Sequence, residues 1–449
     1  MTRKLFGTDG VRGVVGDFLT AELALALAKA ATHQTGAQRA QVLIIRDTRE
    51  SGEMLQAAVA AGVSAAGGDA LLGGVLPTPA APLLIGRYGF DLAVVLSASH
   101  NPYQDNGIKF FSGDGYKLSD ETELAIEREL ERGAPDLAGV GAEQPEAPRA
   151  IGRIRELRGA PEDYLRELHS RFCELDLDGL DVLLDCANGA TYHVAPEIFR
   201  RLGANVTVIA QEPDGRNINA GCGSTHIEQL AERVVAGGHA VGFAFDGDGD
   251  RMLAADRRGA VVDGDELMAL ATLHLRERGR LSGNGVAVTV MTNYGFHSAM
   301  ERAGVTVGVT NVGDRYVLEE LRAQGWMLGG EQSGHIIDMG FNRTGDGIAS
   351  ALLTLEALGG RDLSERDAMA KLPQRLVNVR VRDRSALEHA HEVGAAVSAA
   401  EQTLAGRGRV LVRPSGTEPL VRVMVEAPTE QEAEEVCGRL VALVERDLG

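Results

Sequence analysis

Residues 91–102 read DLAVVLSASHNP. An apolar run over Leu92–Leu96 ends abruptly at Ser97, Ala98 and Ser99, and His100, Asn101 and Pro102 follow. A short continuous apolar run bounded by turn formers is the pattern of a strand buried on both faces, as in a parallel sheet. The Asn-Pro step keeps Asn101 out of the helical region, so the loop beyond the strand is expected to be rigid and exposed. Upstream, Thr20 precedes ELALALAKAATHQTG, a helix with an N-cap and a glycine stop. QVLIIRD (41–47) is a β-branched run, and ESGEMLQAAVAAGVSAAGG is helical again. Helix and strand alternate, which is the rhythm of a mostly parallel α/β sheet.

The plan recurs twice. DVLLD (181–185), NVTVI (205–209) and AVGFAF (240–245) alternate with helical stretches, and so do VAVTV (286–290), VTVGV (305–309) and WML (326–328). The last stretch differs: VNVRVRD (377–383), GRVLVR (408–413), LVRVMVEA (420–427) and a closing helix, opened by Thr429 and Glu432 in a capping box, predict a small α+β domain. Residues 133–152, rich in Ala, Gly and Pro, read as a linker or exposed arm. The expected fold class is therefore α/β: three similar α/β domains with mixed, mostly parallel sheets, plus a C-terminal α+β domain. The boundaries fall at 1–150, 151–255, 256–370 and 371–449.

A chain of 449 residues exceeds the size of a single hydrophobic core. Its charge, 45 − 64 = −19, disfavours nucleic acid or an anionic membrane as the main partner. No apolar stretch approaches the ~20 residues of a membrane span, and MTRKLFGTDG lacks the apolar core of a signal peptide. Cys173, Cys186, Cys222 and Cys437 form no C-x-x-C pair; reduced buried thiols in a cytoplasmic protein are expected.

Each unit's last strand runs into a polar loop: SASHNP, then DGDGDR (246–251), then GGEQSGH (329–335). In open α/β sheets ligands bind beyond the carboxyl ends of strands, so the three loops are expected to line one cleft. Asp246, Asp248 and Asp250 alternate with glycines that let the backbone turn tightly enough for three carboxylates to converge on a hard cation. A calcium-hand loop would need Gly sixth and Glu twelfth, where this chain has Arg251 and Arg257. Asp-Gly pairs also make ordinary turns, but two carboxylates ~4 Å apart repel by about 4 kcal/mol at an effective dielectric near 20. Mg2+ suits the site better than calcium, because few protein oxygens are on offer and a phosphate can complete the shell.

RPSGTEP (413–419) supplies donors from Arg413, Ser415 and Thr417 around Gly416, an anion nest, and Arg422 on the following strand adds a second guanidinium. Glu331 and Ser333 in GGEQSGH suit neighbouring sugar hydroxyls, although solvated loop groups give the same pattern. SASHNP lacks the G-x-S-x-G elbow of a serine hydrolase, and adjacent Ser and His seldom face each other. A serine that carries a phosphoryl group fits better beside a metal loop and an anion loop. Such a site, with three aspartates and one divalent ion, stays roughly three charges negative, and Arg12, Lys109 and Arg251 lie beside the motifs to balance it. Sequence position alone does not choose between Ser97 and Ser99.

SASHNP, DGDGDR, GEQSGH and RPSGTEP, in this order and over essentially the whole chain, resemble the α-D-phosphohexomutase superfamily, and FGTDGVRG (6–13) with GEQSGH resembles its bacterial phosphoglucosamine mutase branch. The resemblance implies four domains around a central cleft and interconversion of glucosamine 6-phosphate and glucosamine 1-phosphate through a bisphosphorylated intermediate. It implies Ser99 as the phosphoserine; Asp246, Asp248, Asp250 and the Ser99 phosphate as Mg2+ ligands; and Glu331 and Ser333 on sugar hydroxyls. It further implies Arg413, Ser415, Gly416 and Thr417 on the phosphate that is not reacting, with Arg12, His100 and Lys109 around the phosphoserine. MTNYG (291–295) departs from an expected M-S-N-x-G, although Thr292 keeps the hydroxyl. The implied partner is a phosphosugar, with a homodimer as the candidate assembly. His100, Lys109 or a further residue remain open as general base. Phosphomannomutase/phosphoglucomutase activity, a non-catalytic phosphosugar-binding protein and a phosphatase are the rival readings.

Overall fold

The computed structural model describes residues 4–132, 151–414 and 419–449. Nearly all of the expected linker, and Ser415, Gly416 and Thr417, lie outside the described residues. By its internal contacts the chain forms two compact units, Met1–Val290 with Gly308–Arg366, and Met291–Val307 with Asp367–Gly449.

In the first unit, Leu92–Leu96 is a fully buried strand, as its apolar run dictates. It pairs in parallel with Gln41–Arg46, which pairs in parallel with Asp69–Val75. Side chains from one face of these strands, Val42, Ile44, Val94 and Leu96 among them, join Leu27, Leu55 and Val59 in one core. Each such side chain contributes about 1.5–3 kcal/mol relative to exposure. The helix Ala21–Gln34 covers this sheet, and Thr20 caps it by accepting from the Leu23 amide. The short strand Ile154–Glu156 joins the same sheet beside Asp69–Val75, so that sheet draws on both sides of residue 150. A second sheet is built on Asp181–Asp185, parallel to Asn205–Ile209 and Val241–Phe245. A third carries Gly285–Thr289 parallel to Leu328–Gly330.

The sheets share a device that the sequence reading did not foresee. After each polar loop the chain returns as an antiparallel strand beside the one it left: Asp105–Ser112 beside Leu92–Leu96, Met252–Asp256 beside Val241–Phe245, and Ile336–Asp338 beside Leu328–Gly330. Each loop is therefore pinned at both ends by one strand pair. The first sheet adds Val11–Val14, antiparallel to Asp105–Ser112 with Arg12 opposite Gly107.

The C-terminal stretch forms the expected α+β fold, a three-stranded antiparallel sheet in the order Gln374–Arg380, Leu420–Glu426, Arg409–Pro414. The closing helix Glu430–Leu448 packs its Val436, Leu440 and Val444 onto this sheet, and Thr429 accepts from the Glu432 amide as the capping motif requires. The helix Tyr294–Ala303, read from sequence as part of the third α/β repeat, lies in the same compact unit as this sheet. Hydrogen bonds explain why. Asn293 exchanges bonds with the Leu372 backbone in both directions at 3.0 Å, and buried Glu426 accepts from the Tyr294 amide at 2.8 Å.

Candidate active site

The three loops of the first unit meet. The Ser99 hydroxyl donates to Asp246 Oδ2 at 2.5 Å, and both residues are fully buried. Thr78 anchors the second loop from the first sheet: its amide donates to the Asp248 carbonyl at 2.9 Å and its hydroxyl to Asp248 Oδ2 at 2.6 Å. The third loop joins through the Met252 amide on the Gly334 carbonyl at 3.1 Å, and His335 Nε2 lies 3.8 Å from Asp250. Gly247 is required by close approach, since a Cβ there would stand 2.6 Å from the Ser99 carbonyl oxygen. Gly249 adopts φ +71°, in the left-handed region that favours glycine.

The geometry separates the two serines. Ser97 Oγ donates to Asp47 at 2.6 Å and accepts from the Ser99 amide at 3.0 Å, so it braces the loop internally. Ser99, with φ +54°, is the one turned toward the aspartates.

One oxygen from each of Asp246, Asp248 and Asp250 lies within 4.8 Å of the other two. Asp248 Oδ1 and Asp250 Oδ1 are buried with no hydrogen-bond partner. Burial, then the charges of Asp250 and Asp248, raise the Asp246 carboxyl well above the usual range. Converging carboxylates, two of which carry a buried unsatisfied oxygen, in a cluster strained by its own repulsion fit a hard divalent cation.

Cations close the cluster on the other side. Lys109, on the returning strand, is buried with Nζ 2.7 Å from Asp248 and 2.9 Å from Asp9. Burial alone would push its ammonium down, but Asp248 and Asp9 more than offset this and hold it above its ordinary value. Arg12 pairs with Asp9 and reaches the Ala98 carbonyl at 3.5 Å. Arg251 lies 3.8 Å from Asp250, and its Nη1 donates to His100 Nδ1 at 3.3 Å. His100 is held below the usual imidazole value by burial, then by Arg251 and Arg12, so it is neutral near pH 7. Its Nδ1 also lies 3.4 Å from Ser99 Oγ.

Glu331 is half-buried with Oε1 accepting from the Gly313 amide at 3.0 Å, and Ser333 is exposed at the loop tip. Arg413 and Arg422 belong to the second unit, directly opposite each other on neighbouring strands. Burial, then the Arg422 charge, lowers the Arg413 guanidinium below its ordinary value. Thr292, where the motif departs from expectation, is buried in the same unit.

Comparison with known proteins settles the family. Models of the phosphoglucomutase/phosphomannomutase domains match residues 3–136 (α/β/α domain I), 162–259 (domain II), 263–376 (domain III) and 376–443 (the C-terminal domain). The phosphoglucosamine mutase of Moorella thermoacetica is 52% identical over 97% of this chain and 98% of its own length. That of Mycobacterium marinum is 50% identical over 96% of both chains. The chain belongs to the phosphohexomutase family, in its phosphoglucosamine mutase branch. Solved structures agree on the fold. A phosphoglucomutase/phosphomannomutase family protein from Burkholderia thailandensis superposes with a TM-score of 0.79 at 21% identity, covering 99% of this chain and 98% of that one. The Aspergillus fumigatus N-acetylphosphoglucosamine mutase, crystallised with GlcNAc-6P and magnesium, gives a TM-score of 0.67 at 18% identity, covering 100% and 96%.

This phosphohexomutase also gathers residues to which the sequence assigned no role. Asp9 lies inside FGTDGVRG and gathers Arg12, Lys109 and Lys117, while Lys117 is shared with Asp314 from the third repeat. Both buried ring nitrogens of His335 lack a hydrogen-bond partner. Asp9 and His335 stood within quoted motifs. Nothing in the sequence marked Thr78, Lys117 or Asp314.

Proposed function

We propose that this chain interconverts glucosamine 6-phosphate and glucosamine 1-phosphate, a step toward UDP-N-acetylglucosamine and cell-wall precursors, with Ser99 as the phosphoryl carrier. The observation that carries the reading is the buried Ser99 hydroxyl 2.5 Å from Asp246, inside a triad of carboxylates suited to a divalent ion. The relatives at about half identity over the full chain support the substrate.

In the forward half-reaction the free sugar hydroxyl attacks phosphorus on phosphorylated Ser99. The P–Oγ bond breaks, its electron pair stays on Oγ, and the proton leaving the sugar hydroxyl ends on Oγ. The bisphosphorylated sugar turns around, and the reverse step returns its other phosphoryl group to Ser99. Positioning and charge stabilisation carry such a transfer. Asp246, Asp248, Asp250 and the Ser99 phosphate would hold Mg2+, which spreads the charge growing on the transferring oxygens. Lys109, Arg12 and Arg251 balance the remaining negative charge. Lys109 is held charged, which suits it to stabilising oxygens rather than accepting a proton. Neutral His100 and His335, whose ring nitrogens make no hydrogen bond, are the groups able to relay one.

Glu331 and Ser333 are assigned to the sugar hydroxyls. Arg413, Ser415, Gly416, Thr417 and Arg422 are assigned to the phosphate that is not reacting. The same reading divides the chain near residues 150, 255 and 370 and makes the protein a cytoplasmic homodimer, which sedimentation of the purified chain tests. Among the described residues no helix is long and apolar enough to cross a membrane.

The test is turnover of glucosamine, glucose and mannose 6-phosphates by the parent and by Ser99→Ala. Glucosamine 6-phosphate should be turned over fastest, and Ser99→Ala should be inactive on all three. An active Ser99→Ala enzyme would overturn the carrier assignment, and a preference for mannose or glucose would overturn the substrate.

A further inference from the structure

The Ser99 loop holds a conformation that serine does not favour, and two side chains outside it maintain that conformation. Ser99 has φ +54°, a backbone state disfavoured for a residue with a Cβ. Its carbonyl oxygen accepts from Arg49 Nη2 at 2.9 Å and from Asn219 Nδ2 at 2.9 Å. Two residues on, the Asn101 carbonyl accepts from the same two donors, Arg49 Nη2 at 2.9 Å and Asn219 Nδ2 at 3.1 Å. Two carbonyls and two donors thus form a closed four-bond clamp.

The donors come from loops of two different repeats and are fixed themselves. Arg49 is fully buried; its Nε donates to Asp47 at 2.8 Å, and its Nη1 reaches the carbonyls of Pro102 and Asp105. Asn219 follows the second sheet, is buried at φ +57°, and its amide donates to the Ala187 carbonyl at 2.9 Å. Gly247, between two of the triad aspartates, leaves room for the clamp, because a Cβ there would lie 2.7 Å from Asn219 Nδ2. A buried guanidinium spending its donors on main-chain carbonyls carries a high desolvation cost for folding alone. It makes sense as a device that fixes the serine loop.

We propose that Arg49 and Asn219 are positioning residues for phosphoryl transfer at Ser99: they hold the serine loop in its strained state, so that Oγ stays aligned with the aspartate triad. This rests on the reading of Ser99 as the phosphoryl carrier. A displacement of about 1 Å in such a constellation costs up to about a hundredfold in rate.

Asn219→Gly is the cleanest variant, since glycine accepts the positive φ while the donor is lost. Asn219→Asp, which keeps the shape but sets an anion against two carbonyls, is the second. Each is phosphorylated at Ser99, mixed with glucosamine 6-phosphate in one turnover, and followed by mass spectrometry of the chain. The expected result is a transfer rate constant lower by about tenfold or more with the amplitude unchanged, because every molecule reacts but does so slowly. A merely structural role would lower the amplitude and leave the rate constant alone, and that outcome overturns the proposal. So does a parent-like rate constant in either folded variant. Should Ser99→Ala remain active, the carrier reading itself fails, a result distinct from either of these.

Discussion

Around Ser99 each cation faces a carboxylate: Lys109 meets Asp248 and Asp9, Arg12 meets Asp9, Arg49 meets Asp47, and Arg251 lies near Asp250. In the C-terminal unit Arg413 and Arg422 stand opposite each other across two strands, and among the described residues neither has an ion-pair partner. Like charges directly opposite in a sheet are destabilising. The first region has its charges matched before any ligand arrives, except for carboxylate oxygens suited to a metal. The second carries a surplus of positive charge, the feature that supports its proposed assignment to a phosphate. One region is matched internally, while the other leaves two guanidinium groups without a carboxylate.

The contrast breaks most visibly at Lys109. Removing this buried cation in Lys109→Met strands the buried carboxylate of Asp248, and denaturant unfolding should show a loss of about 3–5 kcal/mol. A variant as stable as the parent would mean that the network is not charge-matched. At the opposite pole, Arg413→Gln removes a cation from a repelling pair. Its KM for the sugar phosphate should rise about tenfold or more, the worth of a charge-assisted hydrogen bond. Stability should hold or rise slightly, and a folding loss comparable to that of Lys109→Met would erase the distinction between the units.

Acid sharpens the same comparison. Burial, then Arg409, pushes the His297 imidazole down to about 4 in the C-terminal unit. Because its folded value lies below the unfolded one, the unfolded chain binds the extra proton between pH 6.5 and about 4, and stability falls as pH drops through that window. The ceiling is about 3 kcal/mol, reduced by the partial exposure of the ring. Thermal unfolding of His297→Gln should lose this slope, and an unchanged slope would assign it to other groups.

How much of this could be read from the chain follows from what each feature needs. The strands before the loops were legible because buried parallel strands write continuous apolar runs, and DGDGDR was legible because its three carboxylates are local. The returning strand that carries Lys109 was hidden, since Asn101–Asp105 punctuates the sequence as loop and nothing local announces antiparallel pairing. Arg49 and Asn219 act on Ser99 from 50 and 120 residues away, through carbonyls that carry no side-chain signature. Ser97 and Ser99 were indistinguishable by position, although the family resemblance implied Ser99; the Asp47 contact of one and the Asp246 contact of the other separate them physically. The helix Tyr294–Ala303 was legible as a helix of the third repeat, but nothing local announced the bonds of Asn293 and Tyr294 to Leu372 and Glu426.

The most direct test of the carrier account is intact-mass and peptide measurement of the purified chain before and after one equivalent of glucosamine 6-phosphate. The account predicts one phosphoryl group on the Ser99 peptide, lost from the chain as an equal amount of bisphosphorylated sugar appears, and restored as glucosamine 1-phosphate forms. Steady isomerisation by a chain that never carries phosphate at Ser99 would contradict it.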